Sequence, residues 1–147
     1  MDVKPNYCKL SSAFSDGTIF RVPKYQRAYS WKKDNVTQFC EDMNELYQSH
    51  INDEPTEHFL GEIVCVKVEA DNGLDERNIY QLVDGQQRLS TTILYFSRLI
   101  QKMRLLNLND EDGELRIRRA ADYENKFINL AVEENNENAF VTKHYDS

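Results

Sequence analysis

Between residues 59 and 83 the apolar positions fall in short, β-branched runs, and from Gln86 onward they recur every three to four residues. The run 59–68 is almost continuously apolar, as expected of a central strand. Gly61 within it marks a point where another backbone or a ligand approaches closely. Residues 78–83, with Ile79, Leu82 and Val83, predict a second strand. Asp71, Asn72 and Gly73 form a turn between the two, so the pair reads as a hairpin with a medium loop. Leu89, Thr92, Ile93, Phe96, Leu99, Ile100, Met103 and Leu106 share one helical face, which predicts a long helix over about 86–106.

Upstream, residues 18–22 predict a short strand ended by Pro23, and 24–30 a polar, aromatic loop. Val36, Phe39, Cys40, Met43, Leu46 and Tyr47 then fall at helical spacing, with Ser30 as the expected N-cap. Downstream, 107–113 reads as a polar turn and 115–119 as a strand. Asp122 caps a last helix carrying Tyr123, Phe127, Leu130 and Ala131, and 133–138 reads as a mobile acidic tail. This order of elements argues an α+β fold rather than a doubly wound sheet.

The change of period places Asp84, Gly85, Gln86, Gln87 and Arg88 where a strand ends and a helix begins. Free backbone N–H groups and the positive end of the helix dipole can hold a phosphate there. Arg88 adds a planar, permanently charged fork that matches phosphate oxygens. Asp84 would repel a bare phosphate, and makes sense beside one only if it holds a divalent cation or a hydroxyl. The same five residues also fit plain turn chemistry, with Asp84 as a helix cap and the rest solvated. Both readings stand on the residues alone.

Composition narrows the classes. The chain has 147 residues, 40% hydrophobic and 11% aromatic, which suits one globular domain over 1–147. A chain of this size buries roughly 68–70% of its unfolded surface. The net charge of −7 means the surface as a whole is no DNA-binding saddle, so a nucleic-acid grip needs a local patch or another domain. No apolar stretch approaches a membrane span, and the N-terminus lacks the apolar core of a signal peptide. Cys8, Cys40 and Cys65 are odd in number and far apart, so they read as reduced cysteines of a cytoplasmic protein, Cys40 and Cys65 buried.

Four further places can carry chemistry. Tyr25, Gln26 and Arg27 follow a strand-breaking proline, so they can project as binding groups; equally, Arg27 can pack on Tyr29 or Trp31. Tyr29 and Trp31 are expected to pack the loop against the first long helix. Glu62 is a carboxylate in an apolar run, facing either an arginine or metal, or solvent. His58 is a reserve general base. Arg98, Lys102, Arg104, Arg116, Arg118 and Arg119 read as solvated helix faces and helix-terminal cations.

Three stretches also carry a resemblance. Residues 84–92 (Asp-Gly-Gln-Gln-Arg-Leu-Ser-Thr-Thr) resemble the signature of the N-terminal domain of GmrSD-type modification-dependent restriction systems, related to the ParB/sulfiredoxin-like fold. Residues 22–31 are similar to that family's first box and 59–64 to its second, in the right order and without departures. The well-matched part is about 18–106. The resemblance implies a small mixed sheet packed with helices, and one nucleotide-binding domain, a probable Mg²⁺-dependent NTPase. Its NTP, of unknown base, would be held by Tyr25, Gln26, Arg27, Gly61, Gly85 and Arg88. Asp84 and Glu62 would place Mg²⁺, with Gln86 or Gln87 orienting a water; Asp84, Gln86 and Gln87 are thus the catalytic candidates. The family's HNH-type nuclease lies in a C-terminal region absent here or in a separate chain, and DNA is met through other domains. The domain would license that nuclease in a restriction or phage-defence system and is not itself the nuclease. The alternative is a non-hydrolysing nucleotide switch or DNA-sensing module.

Overall fold

Strand β3, Asn78–Asp84, is the middle of a three-stranded sheet and leads directly into the helix that carries the 84–92 motif. The computed structural model describes residues 5–14, 18–23, 28–68, 78–106, 111–134 and 137–142, with the backbone alone at 111 and 129–142. The elements in chain order are α1 (Leu10–Ala13), β1 (Thr18–Arg21), α2 (Lys33–Ile51), β2 (Val64–Val68), β3, α3 (Gln86–Leu105), α4 (Glu111–Phe127), β4 (Asn129–Glu134) and β5 (Glu137–Thr142). The fold is α+β, with β1 parallel to β3, β2 antiparallel to it, and β4 and β5 pairing as a separate ribbon.

Both neighbours of β3 supply backbone partners, so its apolar positions can be buried on either face. Leu82 and Ile79, of opposite parity, are both buried. Leu82 joins Phe14, Phe20, Leu89 and Ile93 in one core cluster. Aromatic rings extend it: Phe14 meets Phe20 at 5.9 Å and Phe127 at 5.7 Å, and Phe127 stacks on Phe96 at 4.7 Å. These contacts, with the Arg104–Glu124 ion pair, fasten α4 to α3. No helix of the described residues is long and apolar enough to cross a membrane.

Several expectations need correction. The run 59–68 is not a central strand. Only Val64–Val68 is extended, and it lies at the sheet edge. Gly61 takes φ +102°, outside the strand region, and Phe59 is 69% exposed. Ser30 is not the N-cap of α2, because the helix starts at Lys33 and Lys32 takes the cap position, its N–H donating to Asn35 Oδ1 at 3.0 Å. Only Phe39 of the α2 stripe is buried, so Cys40 is exposed rather than buried. Residues 115–119 are not a strand and 111–113 not a turn, because both lie inside α4; Asp122 is likewise interior to it. The expected last helix ends at Phe127, and residues 133–134 pair with 137–138 in a β-ribbon rather than forming a tail. There the register pairs Leu130 with Val141 and Val132 with Ala139, so apolar positions meet across the ribbon.

Candidate functional site

The 84–92 motif folds as strand, turn and helix. β3 ends at Asp84, Gly85 sits in the turn with φ +91°, and α3 starts at Gln86. The turn demands glycine twice over. The positive φ is strained for an L side chain, and a Cβ at Gly85 would lie 2.9 Å from the Glu62 carbonyl oxygen and 3.0 Å from Ile63 Cα. Residues 61–63 therefore lie directly across the start of α3, bringing the second box onto the third.

The first backbone bond of α3 runs from Leu89 N–H to Gly85 O at 3.0 Å. The N–H groups of Gln86, Gln87 and Arg88 precede that bond, and among the described residues no side-chain cap is made to them. Asp84 Oδ1 accepts the Gly85 N–H at 2.7 Å, one residue short of a helix cap. Its carboxylate is exposed beside the open amides.

Arg88 occupies the first turn of α3 and is exposed. Its guanidinium lies against Gly61: a Cβ there would be 2.7 Å from Arg88 Cζ and 2.8 Å from Cδ. Arg88 Nη1 is 3.5 Å from the Glu62 carbonyl oxygen, the outer limit of a hydrogen bond. The close approach expected at Gly61 is thus made by an arginine side chain. Glu62 itself is exposed.

The two glutamines have different surroundings. Gln87 is 8% exposed, and its carboxamide is bonded at both ends. Oε1 accepts the Ser30 N–H at 2.7 Å, and Nε2 donates to Ala28 O at 3.4 Å. Tyr29 makes a third link, its hydroxyl 2.8 Å from Thr91 Oγ1, which in turn donates to Gln87 O at 2.8 Å. Gln86 Oε1 is buried with no hydrogen-bond partner among the described residues.

Tyr29 of the strap 28–30, expected to pack the loop against α2, is 42% exposed and bonds Thr91 of α3 instead, and the sequence reading assigns Thr91 no role. The available signal was the run Ser90-Thr91-Thr92 inside a helix, where hydroxyl side chains compete with the backbone and need a local partner. Thr91 and Thr92 both bond carbonyls four residues back. Tyr25, Gln26 and Arg27 lie outside the described residues. Trp31 packs on Phe39 of α2 at 6.3 Å, as expected of the loop.

Elsewhere, His58 Nε2 lies 3.6 Å from Asp42 Oδ2 on α2. Among the described residues no three His, Cys, Asp or Glu side chains gather as a metal cage. Asp84 and Glu62 offer oxygen donors, which suits Mg²⁺ carried mainly by phosphate and water. A groove of about 380 Å³ between α3 and α4 runs past Leu94, Ile100 and Arg104, along the second half of α3 and away from this turn. At the candidate site Asp84 and Arg88 are exposed, while Gly85 and Gln87 between them are buried.

A family model described as the GmrSD restriction endonuclease, N-terminal domain, matches residues 10–146. That span reaches well beyond the 18–106 read from the three boxes. No curated protein matches the chain.

Proposed function

The chain belongs to the family of GmrSD restriction endonuclease N-terminal domains, and on that premise we propose that it binds a nucleoside triphosphate at the start of α3 and hydrolyses it to license a nuclease. Membership places it among components of restriction systems. The nuclease would be of HNH type, in a C-terminal region or a separate chain. With a net charge of −7, DNA would be met through those other parts.

The observation that carries the reading is the uncapped helix start, with Arg88 beside it and the Asp84 carboxylate in the same turn. The amides of Gln86, Gln87 and Arg88 would hold phosphate oxygens, and the Arg88 fork would bind them bidentately. Arg27, Tyr25 and Gln26 keep their proposed roles as a second clamp and base contacts. Asp84, with Glu62, would hold Mg²⁺, which when bound supplies charge neutralisation on the phosphates. Gln86 is the better of the two glutamines for the attacking water, because its Oε1 has no hydrogen-bond partner among the described residues while the Gln87 amide is engaged by the strap. Positioning and electrostatics are what phosphoryl transfer mainly needs.

One observation favours a second reading, a switch or DNA-sensing module that binds without turnover. The 84–92 motif holds no histidine, and its single carboxylate, Asp84, is the one assigned to Mg²⁺. The test is thermal shift with each NTP, with and without Mg²⁺, followed by phosphate release. A ligand at 100-fold its dissociation constant stabilises by about 2.7 kcal/mol, which for a domain of this size is a rise of roughly 5–10 °C. No shift with any NTP would overturn nucleotide binding. A shift without phosphate release, even with modified DNA and the nuclease present, would select the switch.

A further inference from the structure

We infer that Gly61 is a positioning residue, whose bare Cα is the surface against which the Arg88 guanidinium is held; this rests on the reading of Arg88 as the phosphate clamp. Residue 61 then acts on a ligand only through Arg88 and does not touch the ligand itself.

Three observations converge on it. Gly61 has φ +102°, a conformation that favours glycine. A Cβ at that position would meet Cδ, Nε and Cζ of Arg88 together, so the arginine lies along the glycine rather than touching it with its tip. The Glu62 carbonyl oxygen, one residue on, is within reach of Arg88 Nη1, and the same oxygen is pressed on Gly85, where a Cβ would come within 2.9 Å. One segment, 61–63, is thus fixed against the turn at Gly85 and aligns the arginine that leaves it three residues later.

The consequence concerns preorganisation. An exposed arginine samples many rotamers and must be ordered before it can grip a phosphate bidentately. Laid flat on Gly61, with one nitrogen directed to Glu62 O, it has fewer conformations to lose. A methyl group at 61 removes that surface and lifts the guanidinium away.

A double-mutant cycle in the full chain tests this. The first arm needs no nucleotide: the melting temperature is measured for Gly61→Ala in the wild-type and Arg88→Ala backgrounds. Backbone strain at residue 61 is the same in both and cancels, whereas the clash exists only with Arg88 present. Because Arg88 is exposed and can swing aside, the expected excess drop with Arg88 present is small, so the contact is read as well from the Arg88 Nε–H NMR signal, slow to exchange in the wild type and fast in Gly61→Ala. A wild-type Arg88 Nε–H that exchanges as fast as that of a free arginine would overturn the contact, a reading that does not need Gly61→Ala to fold.

The second arm titrates ATP, GTP, CTP and UTP with Mg²⁺. Gly61→Ala should weaken the tightest of them about ten-fold. In an Arg88→Lys background, which keeps Cδ but lacks the Nε and Cζ that a Cβ at 61 also meets, the same change should cost distinctly less, about three-fold. Equal weakening in both backgrounds would mean that Gly61 meets the ligand itself, and would overturn the positioning role. Binding unchanged in Arg88→Ala would sink the phosphate-clamp reading instead, and the positioning role with it, while the first arm still decided the contact.

Discussion

Gln87 and Ser30, 57 residues apart, share a 2.7 Å hydrogen bond from the Ser30 main-chain N–H to the Gln87 carboxamide oxygen. The other end of that carboxamide donates to Ala28 O. One buried side chain thereby ties the loop after β1 to the first turn of α3. The prediction is that Gln87→Leu destabilises the fold by about 1–3 kcal/mol, since it orphans a donor and an acceptor of the main chain. Urea denaturation checks it. A midpoint unchanged from wild type, with phosphate release lost, would return Gln87 to a water-orienting role.

Tyr29 and Thr91 close the same strap through their hydroxyls. Tyr29→Phe should cost about 0.5–1.5 kcal/mol. Thr91→Val should cost more, since it also loses the bond to Gln87 O. Measured together, the two substitutions should be sub-additive; full additivity would show that the hydroxyls do not interact in solution.

Arg88 is exposed and first-turn, so Arg88→Ala should leave the fold intact. Nucleotide binding should disappear, and Arg88→Lys should restore it only in part, because an ammonium lacks the bidentate fork. Identical NTP-induced thermal shifts in Arg88→Ala and wild type would reject the clamp.

Asp84→Asn keeps the carbonyl that accepts the Gly85 N–H but offers a neutral, weaker cation ligand. Phosphate release should fall at least ten-fold while nucleotide binding falls much less. Unimpaired release would remove Asp84 from the mechanism and leave turnover standing.

Cys65, half-buried on β2, has its thiol pushed up from the ordinary 9.0 by burial. Exposed Cys8 and Cys40 should therefore react first with a thiol reagent at pH 8, and Cys65 only slowly until the protein unfolds. The sign for stability follows. Unfolded chains ionise this thiol at a lower pH than folded ones, so its contribution is complete below pH 9.0 and is lost as pH rises through the higher folded value. Reaction of all three cysteines at one rate would contradict the burial.

Local pattern determined the part of the site that lies in one stretch of chain. The shift from β to helical period at Asp84 predicted a strand, a turn at Gly85 and a long helix, and the structure has Asn78–Asp84 and Gln86–Leu105. Residues 115–119 misled because Leu115 and Ile117 alternate with Arg116 and Arg118 over only five positions, too few to separate the two periods. The buried stripe of α4 runs through Gly113 and Ala120, small residues with little hydropathy signal, while Leu115 and Ile117 face outward. The contacts of Gln87 and Gly61 were decided by tertiary structure alone. Their partners, Ser30 and Arg88, lie 57 and 27 residues away. Periodicity reports which face of an element is buried; it carries no information about which distant backbone group a buried carboxamide will bond, or which side chain will lie across a bare glycine.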